Sequence, residues 1–371
     1  MKVPQLQPWI GNEEYAAIGD CFALNWITEG PKARLFQEKL LELMGARYGV
    51  FAPNGTLALY LALRALDIGS GDEVIVPDFT FIGSANAVEM AGANPVFCDV
   101  HSGHCQIDLA HAEKCLTAKT RAIMPVHMYG TVCAMDEVNE FARRHKLLVV
   151  EDAAQAIGVH YKGRHAGTFG AAGAFSFFAD KTITTAEGGF VVTNDPEIYK
   201  KLLFLRNQGR QERGTFIHPE IGYNFRMTDL QCAMGIVQLQ KLGEIISRKQ
   251  QILMLYRDLL HFCSQVRFFT PPEDAEWIPF RIPLFCERAH ELMDFLTDKE
   301  IESRTFFYPL HRQPAFHSLL NDNNYQHSLE DKLFPETISA YDQGVCLPIF
   351  PAITEEQVRY VCAMIREFYG D

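Results

Sequence analysis

The chain has 371 residues, a hydrophobic content of 48%, a charged content of 22% and a formal net charge of −12 at pH 7. This length predicts about two domains, and the composition is that of an ordinary soluble protein with ample material for a core. The negative balance argues against a broad nucleic-acid or anionic-membrane surface, because either partner requires a basic face. A small anionic substrate is still allowed, since a few arginines suffice to bind it.

The predicted elements alternate between helix and strand. Helices are predicted at 13–22, 33–43, 57–66, 82–91, 107–115, 135–145, 196–207, 228–261, 289–299 and 354–369. Strands are predicted at 48–52, 73–76, 95–100, 121–127, 147–150, 189–193, 277–286 and 303–308, and the apolar run 174–178 also looks buried in a sheet. Short apolar strands alternating with amphipathic helices predict a mainly parallel α/β sheet with helices on both faces. The long helix then leads to a smaller C-terminal domain, which gives predicted domains of 1–245 and 246–371.

The N-terminus lacks the features of a signal peptide, and no apolar run reaches the length of a membrane span. We therefore expect a cytoplasmic protein. The ten cysteines are scattered without a C-x-x-C pair, which predicts reduced thiols and no disulfide. His101 and His104 form a loose metal-like pattern with Cys98 and Cys115 nearby, but they lack the spacing of a zinc site, so no metal is expected.

Lys181 follows the apolar run 174–178 and enters a loop of threonines and glycines that ends at Gly189. A lysine carried to the edge of a core can be desolvated, which lowers its pKa and frees the amine to attack a carbonyl. Most lysines, however, are solvated surface charges. The Schiff-base interpretation of Lys181 therefore depends on partners elsewhere in the chain.

Ligands of parallel α/β sheets bind beyond the carboxyl ends of the strands. Asp78, His127 and Asp152 each lie at or just past a predicted strand end. A buried Asp152 carboxylate could pair with a protonated pyridine nitrogen, although a helix-capping role is an equally good interpretation of its position.

Three further features suit a flat phosphorylated cofactor. Asn54, Gly55 and Thr56 precede a buried helix, whose free N–H groups could bind a phosphate, although ordinary helix caps look the same. Ser176 could add a hydroxyl to that phosphate. Phe81 could stack on a heterocycle, with core packing as the alternative.

A lysine amine, a carboxylate at a strand end, a phosphate cradle and an aromatic ring are together the requirements of pyridoxal 5′-phosphate (PLP). The lysine forms the Schiff base, and the carboxylate keeps the pyridine nitrogen protonated so that the ring withdraws electrons. The sequence therefore predicts catalytic roles for Lys181 and Asp152.

Five motifs occur in order along nearly the whole chain: P-N-G-T-L-A-L at 53–59, P-D-F-T-F at 77–81, E-D-A-A-Q-A at 151–156, F-S-F-F-A-D-K-T-I-T-T-A-E-G-G at 175–189 and G-Y-N-F-R-M-T-D-L-Q at 222–231. With these motifs the chain resembles a known family, the DegT/DnrJ/EryC1/StrS sugar aminotransferases. The resemblance implies the aspartate-aminotransferase-like, type I PLP fold and a homodimer with active sites at the subunit interface.

The resemblance also implies roles for single residues. Gln155 would bond the phenolic oxygen of the ring, and Asn224 of the partner subunit would help to hold the phosphate. Glu187 and Tyr308 are candidates for the sugar side. The remaining cofactor residues implied are those already identified, namely Gly55, Thr56, Phe81, Asp152, Ser176 and Lys181.

The roles of several positions stay open. The glycine that the family usually has before Glu187 is Ala186 here, which reduces backbone freedom near the lysine. His127 could contact substrate or serve as a structural hydrogen-bonding group. The arginines at 206, 210, 213 and 226 could bind a substrate phosphate or carboxylate, or lie in a solvated loop; Arg226 is the candidate carried forward.

The predicted function is transfer of an amino group from an amino acid, expected to be L-glutamate, to a keto-sugar. A nucleotide-linked 4-keto-6-deoxy sugar of the perosamine type fits the wording around Lys181 best, and the product would enter amino-sugar and surface lipopolysaccharide biosynthesis. The alternative substrate is a free keto-sugar acid, the 8-keto-3-deoxy-octulosonate that yields 8-amino-3,8-dideoxy-octulosonate. A PLP-dependent dehydratase and a non-catalytic regulator are less favoured, because Lys181 is present and the cofactor residues look intact.

Overall fold

The structure is a computed structural model that describes residues 1–210, 216–321 and 325–370. Its α-helices are α1 Asn12–Ala23, α2 Pro31–Met44, α3 Gly55–Ala65, α4 Gly83–Met90, α5 Leu109–Lys114, α6 Met135–His145, α7 Pro196–Arg206, α8 Asp229–Leu260, α9 Ala289–Asp298, α10 Pro335–Gln343 and α11 Glu355–Tyr369. Its strands are β1 Tyr48–Ala52, β2 Glu73–Pro77, β3 Asn94–Cys98, β4 Thr120–Ile123, β5 Leu148–Asp152, β6 His160–Tyr161, β7 Arg164–His165, β8 Ala172–Ser176, β9 Gly189–Thr193, β10 Val266–Phe268, β11 Ile282–Cys286, β12 Arg304–Thr305 and β13 Gly344–Leu347.

The main sheet has seven strands in the order β1-β9-β8-β5-β4-β2-β3. Strand β9 runs antiparallel to both β1 and β8, and the pairings from β8 through β3 are parallel. The mainly parallel sheet predicted from the alternation of strands and helices is therefore confirmed. Neighbouring residues of a strand point to opposite faces of this sheet, and each face packs against its own apolar cluster. On β1, for example, Phe51 belongs to one cluster and Val50 to the other.

A second sheet of four antiparallel strands, in the order β10-β11-β13-β12, packs with helices α9 and α11. The N-terminus joins this part of the molecule, because Val3 pairs with Ile301 and lies in the same apolar cluster. The predicted boundary at 245/246 falls inside α8, which is continuous from Asp229 to Leu260. The division into 1–245 and 246–371 therefore stays a prediction.

Several details of the sequence prediction were wrong. The prediction did not include the β6–β7 hairpin, β10, α10 or β13, and the strand expected at 303–308 is formed only by Arg304–Thr305. These elements are short, and their pairing comes from partners far along the chain, which local patterns do not reveal. No helix within the described ranges is long and apolar enough to cross a membrane.

Candidate active site

The candidate site lies where β2, β5 and β8 end beside the first turns of α3 and α4. Helix α3 begins after Asn54, whose side chain accepts a hydrogen bond from the Leu57 N–H at 2.9 Å. That cap aligns the free N–H groups of the first turn, where the helix dipole favours an anion.

A space for a phosphate adjoins this turn. A Cβ added to Gly55 would lie 2.8 Å from Ser176 Cβ, and one added to Gly83 would lie 2.9 Å from Thr56 Oγ1. The glycines therefore hold open a space between Thr56, Ser176 and the start of α4. Sequence reasoning missed Gly83, although its position at a helix start just after P-D-F-T-F was a usable signal.

Lys181 lies in the loop that joins β8 to β9. Its side chain is 14% exposed, and its Nζ lies 4.0 Å from Asp180 Oδ1 and 4.7 Å from the centre of the Phe280 ring. Burial lowers the pKa of the Lys181 amine, the carboxylates of Asp180 and Asp152 oppose that shift, and the Arg281 guanidinium adds to it. The environment thus favours the uncharged amine that a nucleophile needs.

Asp152 is the last residue of β5 and is 6% exposed. Its Oδ2 accepts a hydrogen bond from Ser84 Oγ at 2.7 Å, and its Oδ1 accepts one from the Ala154 N–H at 3.1 Å. Ser84 is in turn 3.1 Å from Thr80 Oγ1. The carboxylate is therefore fixed in orientation at the strand end, as a group that must face a cofactor cation needs to be.

Phe81 is 59% exposed, with its nearest aromatic contact an edge-on approach to Phe307 at 6.3 Å. This exposure argues against a core-packing role and leaves the ring accessible, so its stacking on a cofactor stays a prediction. Gln155 is buried, and its Oε1 accepts a hydrogen bond from the Tyr129 N–H at 2.8 Å.

The structure favours the structural role for His127. The side chain is fully buried, its Nδ1 accepts from the Cys133 N–H at 3.2 Å, and its Nε2 lies 2.9 Å from Glu151 Oε2. Because Nδ1 accepts a hydrogen bond, Nε2 carries the ring proton and donates a hydrogen bond to the Glu151 carboxylate. Asp78 is also held within the protein, because its carboxylate accepts hydrogen bonds from the backbone N–H and the ring Nδ1 of His311, each at 2.7 Å.

The arginine candidates are mostly held by the protein itself. Arg206 forms an ion pair with Glu29, and Arg226 lies 3.8 Å from the same carboxylate and donates to Asn207 Oδ1 at 2.7 Å. Arg210 donates to Gln208 at 3.2 Å. Arg213 lies outside the described residues. These partners favour a role for Arg226 in holding its loop, so the structure does not support it as a substrate ligand.

The remaining candidates lie at exposed positions. Glu187 and Asn224 are exposed, and Asn224 pairs through its backbone with Asn207. Tyr308 is 40% exposed and packs edge-on against Tyr341. None of the three lines the cavity beside Lys181, and their roles stay predictions.

Sequence reasoning missed a charged cluster behind Lys181. Arg281 Nη2 lies 2.6 Å from Asp180 Oδ2, and Lys249 of α8 is 4% exposed with its Nζ 5.8 Å from the centre of the Phe280 ring. The signal for Lys249 was its helical spacing from Ile245 and Ile252, which predicts a buried lysine.

The metal-like residues form a different group from the one considered from sequence. The ligand atoms of Cys98, His111 and Cys115 lie within 4.8 Å of one another. The Cys98 thiol and the His111 imidazole hold the pKa of Cys115 down to about 5. The imidazole Nδ1 already accepts the Asp99 N–H at 2.9 Å, however, and Cys98 Sγ lies 3.2 Å from the Asp108 carbonyl. All ten cysteines are buried, and none forms a disulfide.

Taken together, these residues fit PLP: the glycine-lined space suits its phosphate, Asp152 its pyridine nitrogen and the Lys181 amine its aldehyde carbon. The fold and the site define a PLP-dependent aminotransferase. The chain matches the DegT/DnrJ/EryC1/StrS aminotransferase family over residues 8–366 and belongs to that family. It is a sugar aminotransferase of the type I PLP fold.

Three known proteins illustrate the relationship. The chain is 39% identical over 373 residues to GDP-perosamine synthase of Escherichia coli O157:H7, covering 100% of this chain and 99% of that protein. It is similar to the structure of DesV from S. venezuelae, with 33% identity, a TM-score of 0.91 and coverage of 100% and 99%. It is also similar to the PLP form of Spr1654, a putative sugar aminotransferase from Streptococcus pneumoniae, with 25% identity, a TM-score of 0.92 and coverage of 99% and 98%.

Proposed function

We propose that this sugar aminotransferase moves an amino group from L-glutamate to a nucleotide-linked 4-keto-6-deoxy sugar, and that the sugar is GDP-linked. The full-length similarity to an enzyme named GDP-perosamine synthase supports the choice of sugar. The structural observation that carries the aminotransfer is the Lys181 amine, on a side chain that is 14% exposed, close enough to the oriented Asp152 carboxylate for that charge to raise its pKa. We also propose a cytoplasmic location, which ten buried cysteines without a disulfide support.

Bound PLP would withdraw electrons from the carbon that carries the transferred nitrogen. Lys181 would hold the cofactor covalently and, once the donor amine has displaced it, would move the proton as an uncharged base. Asp152, oriented by Ser84 and Ala154, would keep the pyridine nitrogen protonated. Gly55 and Thr56 would place the phosphate at the positive end of α3.

We further propose that the enzyme acts as a homodimer in which Asn224 reaches the phosphate of the partner's site. Large apolar side chains are exposed on α1 and just after it, among them Tyr15 at 81%, Phe22 at 64% and Leu24 at 67%. Such a group of exposed side chains is typical of a surface that is covered in an assembly. Light scattering should give twice the chain mass, and a monomer at micromolar concentration would contradict this proposal.

The function is tested by separating the two half-reactions. The protein reconstituted with PLP should show a cofactor absorbance band that bleaches when L-glutamate is added and returns when the correct keto-sugar follows. Lys181→Ala should abolish the band, whereas Lys200→Met, which removes a lysine that is 70% exposed, should leave it unchanged.

The identity of the keto-sugar that restores the band decides the substrate. We expect the GDP-linked 4-keto-6-deoxy sugar to do so, and the free 8-keto-3-deoxy-octulosonate to fail. Restoration by the octulosonate alone would replace the proposed substrate with the sugar acid. A PLP-loaded protein that responds to no amino acid would refute the proposed aminotransfer.

A further inference from the structure

Lys249 is a buried cation without a counter-ion. It lies on the buried stripe of α8, between Ile245 and Ile252, and is 4% exposed. Within the described part of the chain its ammonium forms no hydrogen bond or ion pair, and its contact is the ring of Phe280 at 5.8 Å. Buried charges in proteins are ordinarily paired, so an unpaired lysine at this depth requires a reason.

The position of Lys249 supplies that reason. Lys249 and Lys181 line one cavity, whose other walls are the N-terminal segment 6–9 and residues 349–351. The enclosed space between these walls is about 20 Å³, roughly the room for one small polar group, and it opens into a wider mouth of about 360 Å³ when the solvent there is included. The two amines lie 5.8 and 4.7 Å from the centre of the same Phe280 ring, and therefore within about 10 Å of each other.

The charges around the cavity leave Lys249 without an ion-pair partner among the described residues. Arg281 Nη2 forms an ion pair with Asp180 Oδ2 at 2.6 Å. Burial lowers the pKa of the Lys181 amine and so favours its uncharged form. The segment 6–9 reads L-Q-P-W and residues 349–351 read I-F-P, so neither wall adds a titratable group.

We propose that Lys249 is the residue that binds the carboxylate of the amino-acid donor while the donor reacts at Lys181. This inference rests on the proposed aminotransfer, and it assigns a subsite within the same cavity. An amino-acid donor brings an anion to the reaction in every turnover, and a charge-assisted hydrogen bond to a dehydrated ammonium is among the stronger ones that proteins form. The Asp180 carboxylate does not repel this anion strongly, because Arg281 neutralises it.

The titration of Lys249 gives the binding a recognisable signature. Burial, aided by Arg281 and Lys181 and opposed by Asp180, lowers the pKa of Lys249 to about 7. A bound carboxylate raises that pKa, because it favours the charged form. Above pH 7 the donor should therefore take up a proton as it binds, and Lys249 is the group near the cavity that can accept it.

The first test measures binding without turnover. PLP-loaded protein is titrated with 2-oxoglutarate by calorimetry at pH 8, in two buffers that differ in ionisation enthalpy. The wild type should take up a fraction of a proton, up to one, on binding. Lys249→Met should weaken binding about 10- to 100-fold and take up none, and Lys249→Arg should restore binding.

The second test separates donor from acceptor. In steady-state assays, Lys249→Met should raise the KM for L-glutamate by about 10- to 100-fold, while the KM for the keto-sugar that restores the band stays within twofold. The control is Lys200→Met on α7, whose amine is 70% exposed. Methionine nearly matches the length of lysine and removes only the buried charge, so folding should survive, and far-ultraviolet dichroism checks it.

The outcomes distinguish this inference from the proposed function. If the wild type reacts with L-glutamate and Lys249→Met does so with an unchanged KM and unchanged proton uptake, the subsite is wrong and the aminotransfer stands. Equal losses for donor and keto-sugar would also overturn the subsite, because they would indicate a general disturbance of Lys181. If the wild type responds to no amino acid, the proposed function itself has failed.

Discussion

Replacing Lys249 by methionine should stabilise the folded protein, by an amount that depends on pH. The Lys249 pKa falls from 10.5 in the unfolded chain to about 7 in the folded one. At 1.36 kcal/mol for each pKa unit, keeping this lysine charged in the fold costs on the order of 5 kcal/mol. Methionine removes that cost and fills nearly the same length of side chain.

The sign of the pH dependence follows from proton counting. Between pH 7 and 10.5 the unfolded chain holds the Lys249 proton and the folded chain does not, so the penalty shrinks as pH rises. The advantage of the methionine variant should therefore be largest at pH 7 and below, and should nearly vanish by pH 10.

Urea unfolding of both proteins at pH 6.5, 8.0 and 9.5 measures this difference, with Lys200→Met as the exposed control. Relaxation and water entry would reduce the magnitude, and a gain of about 2 kcal/mol at pH 6.5 would still support the reasoning. A variant less stable than wild type at pH 6.5, or a difference independent of pH, would refute it. Lys249 would then be charged and well solvated in the fold.

Two further substitutions test the cofactor site. Gly55→Ala should weaken PLP binding about tenfold or more in a cofactor titration, because the added methyl group would lie 2.8 Å from Ser176 Cβ, in a strand that is paired on both sides. The control variant Gly243→Ala, which has open space around its Cβ, should bind PLP normally. Equal PLP affinity of the two variants would exclude the proposed cradle. Ala186→Gly should raise the free energy of unfolding by about 0.5 to 1 kcal/mol, because Ala186 has a φ of 66°, a backbone conformation that strains alanine but not glycine. Urea unfolding measures this change. A variant that is less stable than the wild type would show that alanine is not strained in this loop.

The part of the fold that the sequence predicted is the part that local pattern determines. Buried strands such as β2 and β5 are short apolar runs between amphipathic helices, and that alternation permits little other than a parallel sheet. Lys181 and Asp152 could be identified because each lies at or a few residues past the end of such a strand. The resemblance of five motifs to one family then added Gln155 and Asn224, which no spacing argument singled out.

The rest could not be predicted because it depends on contacts between distant parts of the chain. Arg281 lies 101 positions from the Asp180 that it neutralises, and Val3 pairs with Ile301 at the far end of the sequence. His127 was left between two roles because only the folded chain shows Cys133 and Glu151 occupying both of its nitrogens. Local sequence patterns carry no information about such pairings.

Lys249 shows how a buried charge can be explained by function where stability gives no explanation. A core position at this spacing on α8 would be filled more stably by leucine or methionine, because those side chains carry no desolvation cost. Asp180 already forms an ion pair with Arg281 at 2.6 Å, so it does not require Lys249 as its counter-ion. A lysine at this position therefore makes physical sense when an anion enters the cavity during the reaction, and the donor carboxylate is an anion that the proposed aminotransfer brings in at each cycle.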